Sequence, residues 1–324
     1  MRSTFISSFA LLLAACATGH NTGAPGKKSI HVLVYNIHAG KDAKGIDNLV
    51  GVADLVRTTG ADIVLLQEVD NGTKRSGNVN QPAVLAQRTG FHAAFGSALD
   101  YDGGKYGVAI LSRWPIIRDT LFHLPVDPPQ ERSGGSHEPR GALRAIVQSP
   151  FGRLAVLNTH LDASGADRWR RQEADSIVSL VAQTRRNEPL VIAGGDFNST
   201  PESAVQIAVR KSGLRDSWDE CGSGPGLSFP DDVPVKRIDY LFLTGDIRCA
   251  SAAVVDTRVS DHRPVLFEVV LPATPPAASS VAKATRATSP SVSLAVATTQ
   301  NNIDPRTPLT AMQQQWVERT LESL

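Results

Sequence analysis

Short apolar segments recur between residues 30 and 271, and their number and spacing constrain the fold more than any other feature of the chain. Each segment has the length and the β-branched content of a buried strand. Many of them are neighbours in the chain, with few helix-like stretches between them. This arrangement favours an α/β sandwich with mixed sheets over a purely parallel sheet. The segments are, in chain order, IHVLVYN, DIVLLQEV, GVAILS, ALRAIVQS, RLAVLNTHL, LVIAGGDF, IDYLFLT and RPVLFEVVL.

Three stretches between the strand-like segments have the apolar spacing of helices. Residues 45–60 predict the first helix, and residues 167–185 predict a longer one. Residues 201–212 predict a third, with Pro201 at a permitted first-turn position. In the first helix the apolar positions at helical spacing are Leu49, Val52, Ala53 and Val56. No GxGxxG follows a strand and no Walker loop occurs, which argues against nucleotide-cofactor chemistry.

The first sixteen residues, MRSTFISSFALLLAAC, combine one cation with an apolar run too short to remain as a membrane-spanning helix. The last four residues of that segment resemble a bacterial lipobox, in which cleavage before Cys16 leaves this cysteine as a lipidated N-terminus. The alternative is an ordinary signal peptide cut at a small-residue site. Both interpretations predict export, with the protein lipid-anchored in the cell envelope through Cys16 or otherwise secreted. Residues 17–29 are then a flexible tether.

The composition changes again after the last strand-like segment. Residues 272–308 are rich in Pro, Ala, Ser and Thr, have no core-forming pattern and predict a linker. Residues 309–324 predict a short helix that begins with a capping box formed by Thr310 and Gln313. The expected apolar face of that helix consists of Val317, Leu321 and Leu324.

The cysteines and the net charge limit the functional classes to which the protein can belong. Cys221 and Cys249 remain after Cys16, and in an exported protein they are either a disulfide or two buried thiols. No CxxC or Cys/His cluster indicates zinc. Lys and Arg total 33 against 32 Asp and Glu, a net charge of +1, so the chain lacks the global basic field of a non-specific DNA binder. A local basic patch is not excluded by that balance.

Polar residues interrupt the apolar segments at their ends, in six places. Any one of them is typical of a turn former or a helix cap. Six together indicate a functional site, because strand ends on a rigid scaffold are where sites are built. The residues are Asn36, Glu68, Asn158 with His160, Asp196 with Asn198, Asp239, and Asp261 with His262.

The chemistry of these residues is mutually consistent. Carboxylate oxygens, from Glu68 together with Asp196, Asp239 or Asp261, are the ligands that Mg²⁺ or Mn²⁺ prefers. The two histidines supply groups that change protonation near neutral pH. A metal, carboxylates and histidine together predict a site for hydrolysing a phosphate ester.

Seven segments in this order resemble the endonuclease/exonuclease/phosphatase superfamily, which includes deoxyribonuclease I, abasic-site endonucleases, neutral sphingomyelinases and inositol-polyphosphate 5-phosphatases. The segments are VYNIHAG, LLQEVD, YGVAILSRWPI, LNTHLD, GGDFNSTP, RIDYLF and VSDHRPV. The resemblance implies a four-layered α/β sandwich of the DNase I-like type, with two packed mixed β-sheets flanked by helices. It covers residues 30–271, taken as one monomeric catalytic domain with Mg²⁺ or Mn²⁺ as cofactor.

The resemblance also implies roles for individual residues. Asn36 and Glu68 bind the metal, Glu68 directly, and Asp261 lies near it. Asp196 orients or deprotonates the attacking water, while Asn198 holds the scissile phosphate.

Two histidines complete the implied machinery. His262 contacts the phosphate or acts as a base through Asp239, and His160 stabilises or protonates the phosphate region. Whether His262 or Asp196 is the general base stays open at this stage.

Four arginines between the shared motifs, Arg75, Arg132, Arg140 and Arg144, can offer bidentate donors to phosphate oxygens. Arg75 and Arg140 are the two expected to bind substrate phosphate, because this arrangement resembles a bacterial subgroup of metal-dependent hydrolases. Tyr106 is expected to line the cleft.

The preferred function is hydrolysis of a small or lipid-derived phosphate ester by a phosphodiesterase or phosphatase, with membrane contact through the lipid anchor. The alternative is a secreted nuclease acting on DNA or RNA, with a continuous basic groove and a steep dependence on salt. A non-catalytic binding protein is disfavoured because every expected polar position is present.

Overall fold

The computed structural model describes residues 28–124, 138–272, 296–297 and 302–322. The predicted signal sequence with Cys16, almost all of the tether, most of the predicted linker and Arg132 lie outside the described residues. Within the described ranges, no helix is both long enough and apolar enough to span a membrane.

Two mixed sheets of seven strands each form the centre of the described part of the chain. The strands are β1 (Ser29–Asn36), β2 (Ile63–Asn71), β3 (His92–Tyr101), β4 (Gly104–Ser112), β5 (Ile116–Leu124), β6 (Arg140–Ser149), β7 (Gly152–His160), β8 (Val191–Asp196), β9 (Arg215–Asp216), β10 (Asp239–Leu243), β11 (Arg248–Val254), β12 (Val265–Val270), β13 (Val296–Ala297) and β14 (Asn302–Ile303). The first sheet has the order β11-β12-β1-β2-β4-β3-β14, and the second has the order β13-β5-β6-β7-β8-β10-β9.

The described residues also form six α-helices and two short 3-10 helices. The α-helices are α1 (Leu49–Thr58), α2 (Gln81–Thr89), α3 (Asp167–Thr184), α4 (Ala204–Lys211), α5 (Ser217–Cys221) and α6 (Ala311–Glu322), and the 3-10 helices are His38–Gly40 and Lys74–Ser76.

Side chains alternate between the two faces of each sheet, as the pleat requires. In β1, Val32 and Val34 belong to the apolar core between the sheets, whereas Leu33 and Tyr35 belong to the core beneath the helices of the first sheet. All four are fully buried. The continuous apolar runs of the sequence therefore reflect strands that are covered on both faces.

Three apolar cores separate four layers. One core joins the inner faces of the two sheets. A second packs α1, α2 and α6 on the outer face of the first sheet, and a third packs α3 and α4 on the outer face of the second. The predicted four-layered α/β sandwich with two mixed sheets is thus confirmed.

The first and third predicted helices begin a few residues later than expected. The third predicted helix begins at Ala204, not in the neighbourhood of Pro201, because Ser203 caps it by accepting from the amide of Gln206 at 3.2 Å. The expectation that Pro201 lies in the first turn is wrong. The apolar spacing of α1 and α3 predicted both helices within a few residues.

The sequence pattern did not predict eight of the described strands and α-helices, namely β3, β5, β9, β11, β13, β14, α2 and α5. Strand β5 contains the polar residues Arg118, Asp119 and His123, and β11 is largely exposed, so neither reads as a buried strand. Helix α2 is short, but Asn80 caps it by accepting from the amide of Ala83 at 3.1 Å.

The C-terminal segment packs on the first sheet. Thr310 and Gln313 form the predicted capping box, with the Thr310 amide donating to Gln313 Oε1 at 2.8 Å. Among the described side chains of α6, Trp316 is buried and Val317 is buried in part, whereas the side chain of Leu321 and the whole of Leu324 lie outside the described part of the chain. Inside the segment expected to be a linker, Asn302–Ile303 forms β14 and pairs with β3.

Cys221 and Cys249 form a disulfide between α5 and β11. The alternative of two buried thiols is therefore wrong for this pair.

Candidate active site

Strand direction brings the predicted site residues to one end of the sandwich. β1 and β2 are parallel, as are β7 and β8, so Asn36, Glu68, His160 and Asp196 all lie at carboxyl ends. Asp239 begins β10, which runs antiparallel to β8, and it is the direct cross-strand partner of Asp196. His262 precedes β12, which runs antiparallel to β1, and therefore lies at the same end.

The backbone is irregular where two of these side chains turn into the site. The pairing of β2 with β4 shifts between Leu66 and Val69, and Glu68 within this bulge has a left-handed φ of 57°. Asn198, just after β8, has a φ of 47°. Left-handed backbone at residues other than glycine costs about 1–3 kcal/mol each, and such bulges re-aim side chains next to functional sites.

Gly195 lets two strands approach closely at the same place. Its φ is 136°, and a Cβ there would lie 1.9 Å from the carbonyl oxygen of Thr159. Gly195 thus permits the close pairing of β8 with β7, which holds Asp196 beside His160.

Asn36 joins two carboxylates. Its Nδ2 donates to Glu68 Oε1 at 3.0 Å and to Asp196 Oδ2 at 3.1 Å. Its Oδ1 accepts from the amide of His38 at 3.1 Å. Asn36 thus turns its amide nitrogen towards the carboxylates, and the metal-ligand role expected of it stays a prediction.

Asp196 is fully enclosed by polar partners. Its Oδ1 accepts from the backbone amide of Asn198 at 2.8 Å. Its Oδ2 lies 3.5 Å from His160 Nε2 and 3.7 Å from His262 Nε2. Burial and the neighbouring Asp239 carboxylate raise the pKa of Asp196 to about 7.

His262 forms a buried ion pair with Asp239. Its Nδ1 lies 3.0 Å from Asp239 Oδ2, which also accepts from Ser228 Oγ at 2.6 Å. Burial by itself lowers the pKa of His262, but the carboxylates of Asp239 and Asp196 outweigh it and raise that pKa to about 10. The ring is therefore an imidazolium at neutral pH. Ser228 is a partner that the sequence pattern did not reveal.

His160 has the opposite electrostatic environment. Burial, the guanidinium of Arg140 and the positive charge of His262 hold the pKa of His160 well below its usual range. Arg140 Nη1 lies 3.1 Å from His160 Nδ1, and Asn198 Nδ2 lies 3.0 Å from His160 Nε2. The site thus contains one charged and one neutral imidazole, both facing Asp196.

A cavity of about 550 Å³ opens over these groups. Of the predicted site residues, those on its wall are Glu68, Arg75, Arg140, His160, Asp196, Asn198, Asp261 and His262. Asn36 and Asp239 lie behind the wall and contact the cavity through Glu68, Asp196 and His262. The cavity is also lined by Tyr101, Tyr106, Glu138, Arg170, Phe229, Lys236 and Ile238. The expectation that Tyr106 lines the cleft is confirmed.

Arg75 reaches the cavity as part of a rigid assembly. Its Nε and Nη2 both donate to the buried carboxylate of Asp70 at 2.8 Å, and its guanidinium lies 4.6 Å above the Tyr101 ring and 5.2 Å from that of Tyr106. One bidentate edge of the guanidinium is therefore occupied by Asp70, and Nη1 is the nitrogen left for a ligand.

Two candidate residues lie elsewhere. Arg144 packs over the Phe122 ring and donates weakly to Thr184 Oγ1, away from the cavity, so it does not face a substrate phosphate there. Asn158 lies between the sheets, where its Nδ2 donates to the carbonyl oxygens of Leu66 and Ala109 at 2.8 Å. Asn158 is a brace between the sheets and not a site residue.

The donor set fits a hard divalent cation. Asp196, Asp239 and His262 have atoms of ligand type within 4.8 Å of one another in a buried position, but both ring nitrogens of His262 face the two carboxylates. Asp239 Oδ1 is buried without a hydrogen-bond partner among the described residues. Glu68 and Asp261 add two half-buried carboxylates on the same wall. Clustered carboxylates of this kind provide the oxygen ligands that Mg²⁺ or Mn²⁺ prefers.

A four-layered sandwich with carboxylates and histidines gathered at one end of its sheets defines the DNase I-like class of proteins. The model of the Endonuclease/Exonuclease/phosphatase family matches residues 33–262. The chain therefore belongs to the endonuclease/exonuclease/phosphatase family, whose members are hydrolases of phosphate esters. The resemblance drawn from the motifs is confirmed.

Individual proteins of known sequence or structure are similar to this chain. The uncharacterized protein YbhP of Escherichia coli K12 is 28% identical over 256 residues, covering 75% of this chain and 97% of YbhP. The mannosyl-6-phosphatase of Bacteroides thetaiotaomicron VPI-5482 superposes with a TM-score of 0.63 at 18% identity, covering 75% of this chain and all of the other. The human Nocturnin catalytic domain, determined with a bound sulfate anion, superposes with a TM-score of 0.58 at 17% identity, covering 75% and 94%.

Proposed function

We propose that this protein is a divalent-metal-dependent hydrolase of small phosphate esters. The observation that supports this proposal is the buried group of Asp196, Asn198, His160 and His262 on the wall of a cavity that also presents cationic side chains. Hydrolysis of a phosphate ester needs an acceptor for the proton of water, donors for the phosphate oxygens and neutralised negative charge, and these groups supply all three.

Asp196 is the residue best placed to accept a proton from the attacking water. Its two oxygens are oriented by Asn36 and by the amide of Asn198, and it lies on the cavity wall. His262 is less suited to that role, because its two ring nitrogens face the carboxylates of Asp239 and Asp196 and both act as donors. The proposal therefore makes Asp196 the general base.

His262 and Asn198 would hold the phosphate. The Nε2–H of His262 and the amide group of Asn198 both lie on the cavity wall beside Asp196. Asp239, braced by Ser228, keeps the His262 ring oriented and positively charged. A charged donor stabilises negative charge that develops on a phosphate oxygen better than a neutral one does.

Glu68 and Asp261 would hold the metal, because among the described residues neither of these wall carboxylates forms a salt bridge, whereas Glu138 pairs with Arg140 and Asp196 lies against two histidines. Asn36 would fix the position of Glu68 relative to Asp196 by donating to both carboxylates. When bound, Mg²⁺ or Mn²⁺ would act as a Lewis acid that neutralises charge on the phosphate oxygens.

The size and lining of the cavity favour a small ester over a polymer. A volume of about 550 Å³ lies within the range of roughly 300–1,000 Å³ common for small-ligand pockets. Arg75 and the rings of Tyr101 and Tyr106 form a fixed wall against which the remainder of the substrate would rest. Arg75 would then contact this part of the substrate through Nη1.

A panel of substrates tests the proposal. Bis-p-nitrophenyl phosphate, inositol phosphates, sphingomyelin and plasmid DNA are each incubated with the protein in Mg²⁺ or Mn²⁺ and, in parallel, in EDTA. We expect EDTA-sensitive turnover of the small esters. Absence of EDTA-sensitive turnover on every ester would overturn the enzyme proposal, and nicking of plasmid alone would replace it with the nuclease alternative.

We further propose that the protein is exported and anchored through Cys16. The disulfide between Cys221 and Cys249 supports an oxidising compartment, where such bonds persist. Metabolic labelling with a radioactive fatty acid should mark the wild-type protein and not a Cys16→Ser variant. Equal labelling of both would contradict the anchor.

A further inference from the structure

His160 lies between two groups that donate hydrogen bonds. Only 5% of its surface is exposed. Arg140 Nη1 is 3.1 Å from Nδ1, and Asn198 Nδ2 is 3.0 Å from Nε2. Asp196 Oδ2, an acceptor, is 3.5 Å from the same Nε2.

A neutral imidazole cannot accept from both neighbours, because it has one acceptor nitrogen and one N–H. A protonated imidazole can accept from neither. Charging the ring would also set it beside the guanidinium of Arg140. The neutral ring can therefore accept a hydrogen bond from only one of the two donors.

Arg140 is the stronger of the two donors and therefore determines the tautomer. A guanidinium has five N–H donors and no acceptor, whereas the amide nitrogen of Asn198 already donates to the carbonyl oxygen of Leu161 at 2.9 Å. A hydrogen bond from a charged donor is roughly twice as strong as one between neutral groups. Nδ1 is therefore the acceptor, Nε2 carries the hydrogen, and that hydrogen is directed at Asp196 Oδ2.

The fold keeps Arg140 in place for this contact. Arg140 is the first residue of β6, and β6 pairs antiparallel with β7, which ends at His160. The Arg140 side chain is only 4% exposed, and Glu138 Oε2 lies 3.4 Å from its Nη1. A buried and paired arginine at the start of a strand has less freedom to move than an arginine on an exposed loop.

We propose that Arg140 is a positioning residue that holds His160 in the Nε2–H tautomer, so that His160 takes part in the reaction as a hydrogen-bond donor and not as a proton acceptor. The donor then faces the Asp196 carboxylate and the cavity beside it. The catalytic part of this proposal rests on the proposed hydrolase function, whereas the tautomer is a property of the folded protein alone.

Nitrogen-15 NMR of the labelled protein reads the tautomer directly, with His160 assigned by its loss in a His160→Gln variant. We expect Nδ1 to show the chemical shift of an unprotonated ring nitrogen and Nε2 that of a protonated one. An Arg140→Lys variant, whose ammonium is also only a donor, should give the same pattern. In Arg140→Met the pattern should reverse, because Asn198 is then the remaining donor. Protonated Nδ1 in the wild-type protein overturns the proposal.

Kinetics separate positioning from phosphate binding. With a small ester, Arg140→Met should lower kcat about 10- to 100-fold with KM unchanged, and Arg140→Lys should recover most of that loss. If Arg140 instead binds the phosphate, KM and the affinity for inorganic phosphate change while kcat does not, and the proposal is wrong.

Two further results are decisive even where a variant or the assay fails. If Arg140→Met does not fold, the spectra of the wild type and Arg140→Lys still test the tautomer. If the protein hydrolyses no ester, the proposed function fails, and the NMR result continues to support or overturn the tautomer independently.

Discussion

Four polar groups contact the Asp196 side chain, and this explains how a carboxylate can stay buried there. Asn36, the amide of Asn198 and two imidazoles surround its oxygens. A buried carboxylate without such partners would lose several kcal/mol of solvation. The same partners fix its direction towards the cavity, so stability and catalysis depend on one set of contacts.

An Asp196→Asn variant tests the base. The amide has the size of the carboxylate, so we expect the fold to persist, as judged by far-UV circular dichroism. Turnover of a small ester should fall by about 10²- to 10⁴-fold, because an amide cannot accept the proton of water. Asp175→Asn, at an exposed position on α3, is the matched control and should keep full activity. Near-normal turnover of Asp196→Asn would contradict the assignment.

Arg75 and Asp70 form a second test at this scale. Asp70 is fully buried, and Arg75 Nε and Nη2 are its charged partners. Arg75→Gln should lower the free energy of unfolding by about 2 kcal/mol, less than for a fully buried pair because the Arg75 side chain is 34% exposed.

The matched variant removes both charges. Arg75→Gln with Asp70→Asn should recover much of the lost stability in urea titrations, since no unpaired charge then stays buried. A double variant as unstable as the single one would show that the loss does not come from the unpaired carboxylate.

At the scale of elements, helix α3 and the segment around the disulfide illustrate how the layers are tied to the site. α3 covers the second sheet and places Glu173 in a fully buried position, where its Oε2 accepts from the amide of Asp162 at 2.8 Å. The loop after Asp162 lines the cavity, so one buried carboxyl on α3 supports the wall of the site. Burial raises the pKa of Glu173 to about 8.

The raised pKa of Glu173 makes stability depend on pH with a defined sign. Because the folded state keeps this proton up to about pH 8, while the ordinary value is 4.5, stability should fall as pH rises through that window. Glu173→Gln removes the dependence and retains an acceptor for Asp162. As pH rises between those two values, the free energy of unfolding of the variant minus that of the wild type should therefore increase by up to about 1.4 kcal/mol per pH unit. A difference that does not change with pH would contradict the raised pKa.

The disulfide should stabilise the folded protein by lowering the conformational entropy of the unfolded chain. Cys221 and Cys249 are 28 residues apart, and closing a loop of that length contributes about 3–4 kcal/mol in the chain-entropy description. Urea unfolding of a Cys221→Ser, Cys249→Ser variant should show this loss, and reduced wild-type protein should match it. Equal stability of oxidised wild type and variant would contradict the contribution.

At the scale of the whole molecule, charge is balanced both overall and at the cavity. The net charge is +1, and the arginines on the cavity wall each have a carboxylate partner within the described residues. The pairs are Arg75 with Asp70, Arg140 with Glu138, and Arg170 with Asp167. We therefore expect the cavity to hold a small anion locally and not to track a polyanion.

Salt dependence tests that interpretation. A protein that contacts 6–10 backbone phosphates loses about 10³- to 10⁵-fold in affinity between 50 and 200 mM salt. For hydrolysis of a small ester by this protein, kcat/KM should change by less than about 3-fold over the same interval, because few counterions are released. A steep loss would favour the nuclease alternative.

Much of the fold and of the site follows from the sequence because the relevant signals are local. Apolar runs covered on both faces predicted eight strands, and the helical period of Leu49, Val52, Ala53 and Val56 predicted α1. The polar residues at strand ends predicted where the site would form, since strand direction alone brings carboxyl ends together. Elements with mixed or exposed patterns, such as β5 and β11, could not be predicted in this way.

Only the tertiary structure decided which side chains meet, because contacts between distant strands depend on register and layer packing. Asn158 and His160 are two residues apart in β7, yet one braces the two sheets and the other faces the cavity. Arg75 and Arg140 looked alike in sequence, but Asp70 occupies an edge of the first and His160 Nδ1 contacts the second. The sequence determined the residue types and their strand ends. The three-dimensional packing determined partners, charge states and the direction of each hydrogen bond.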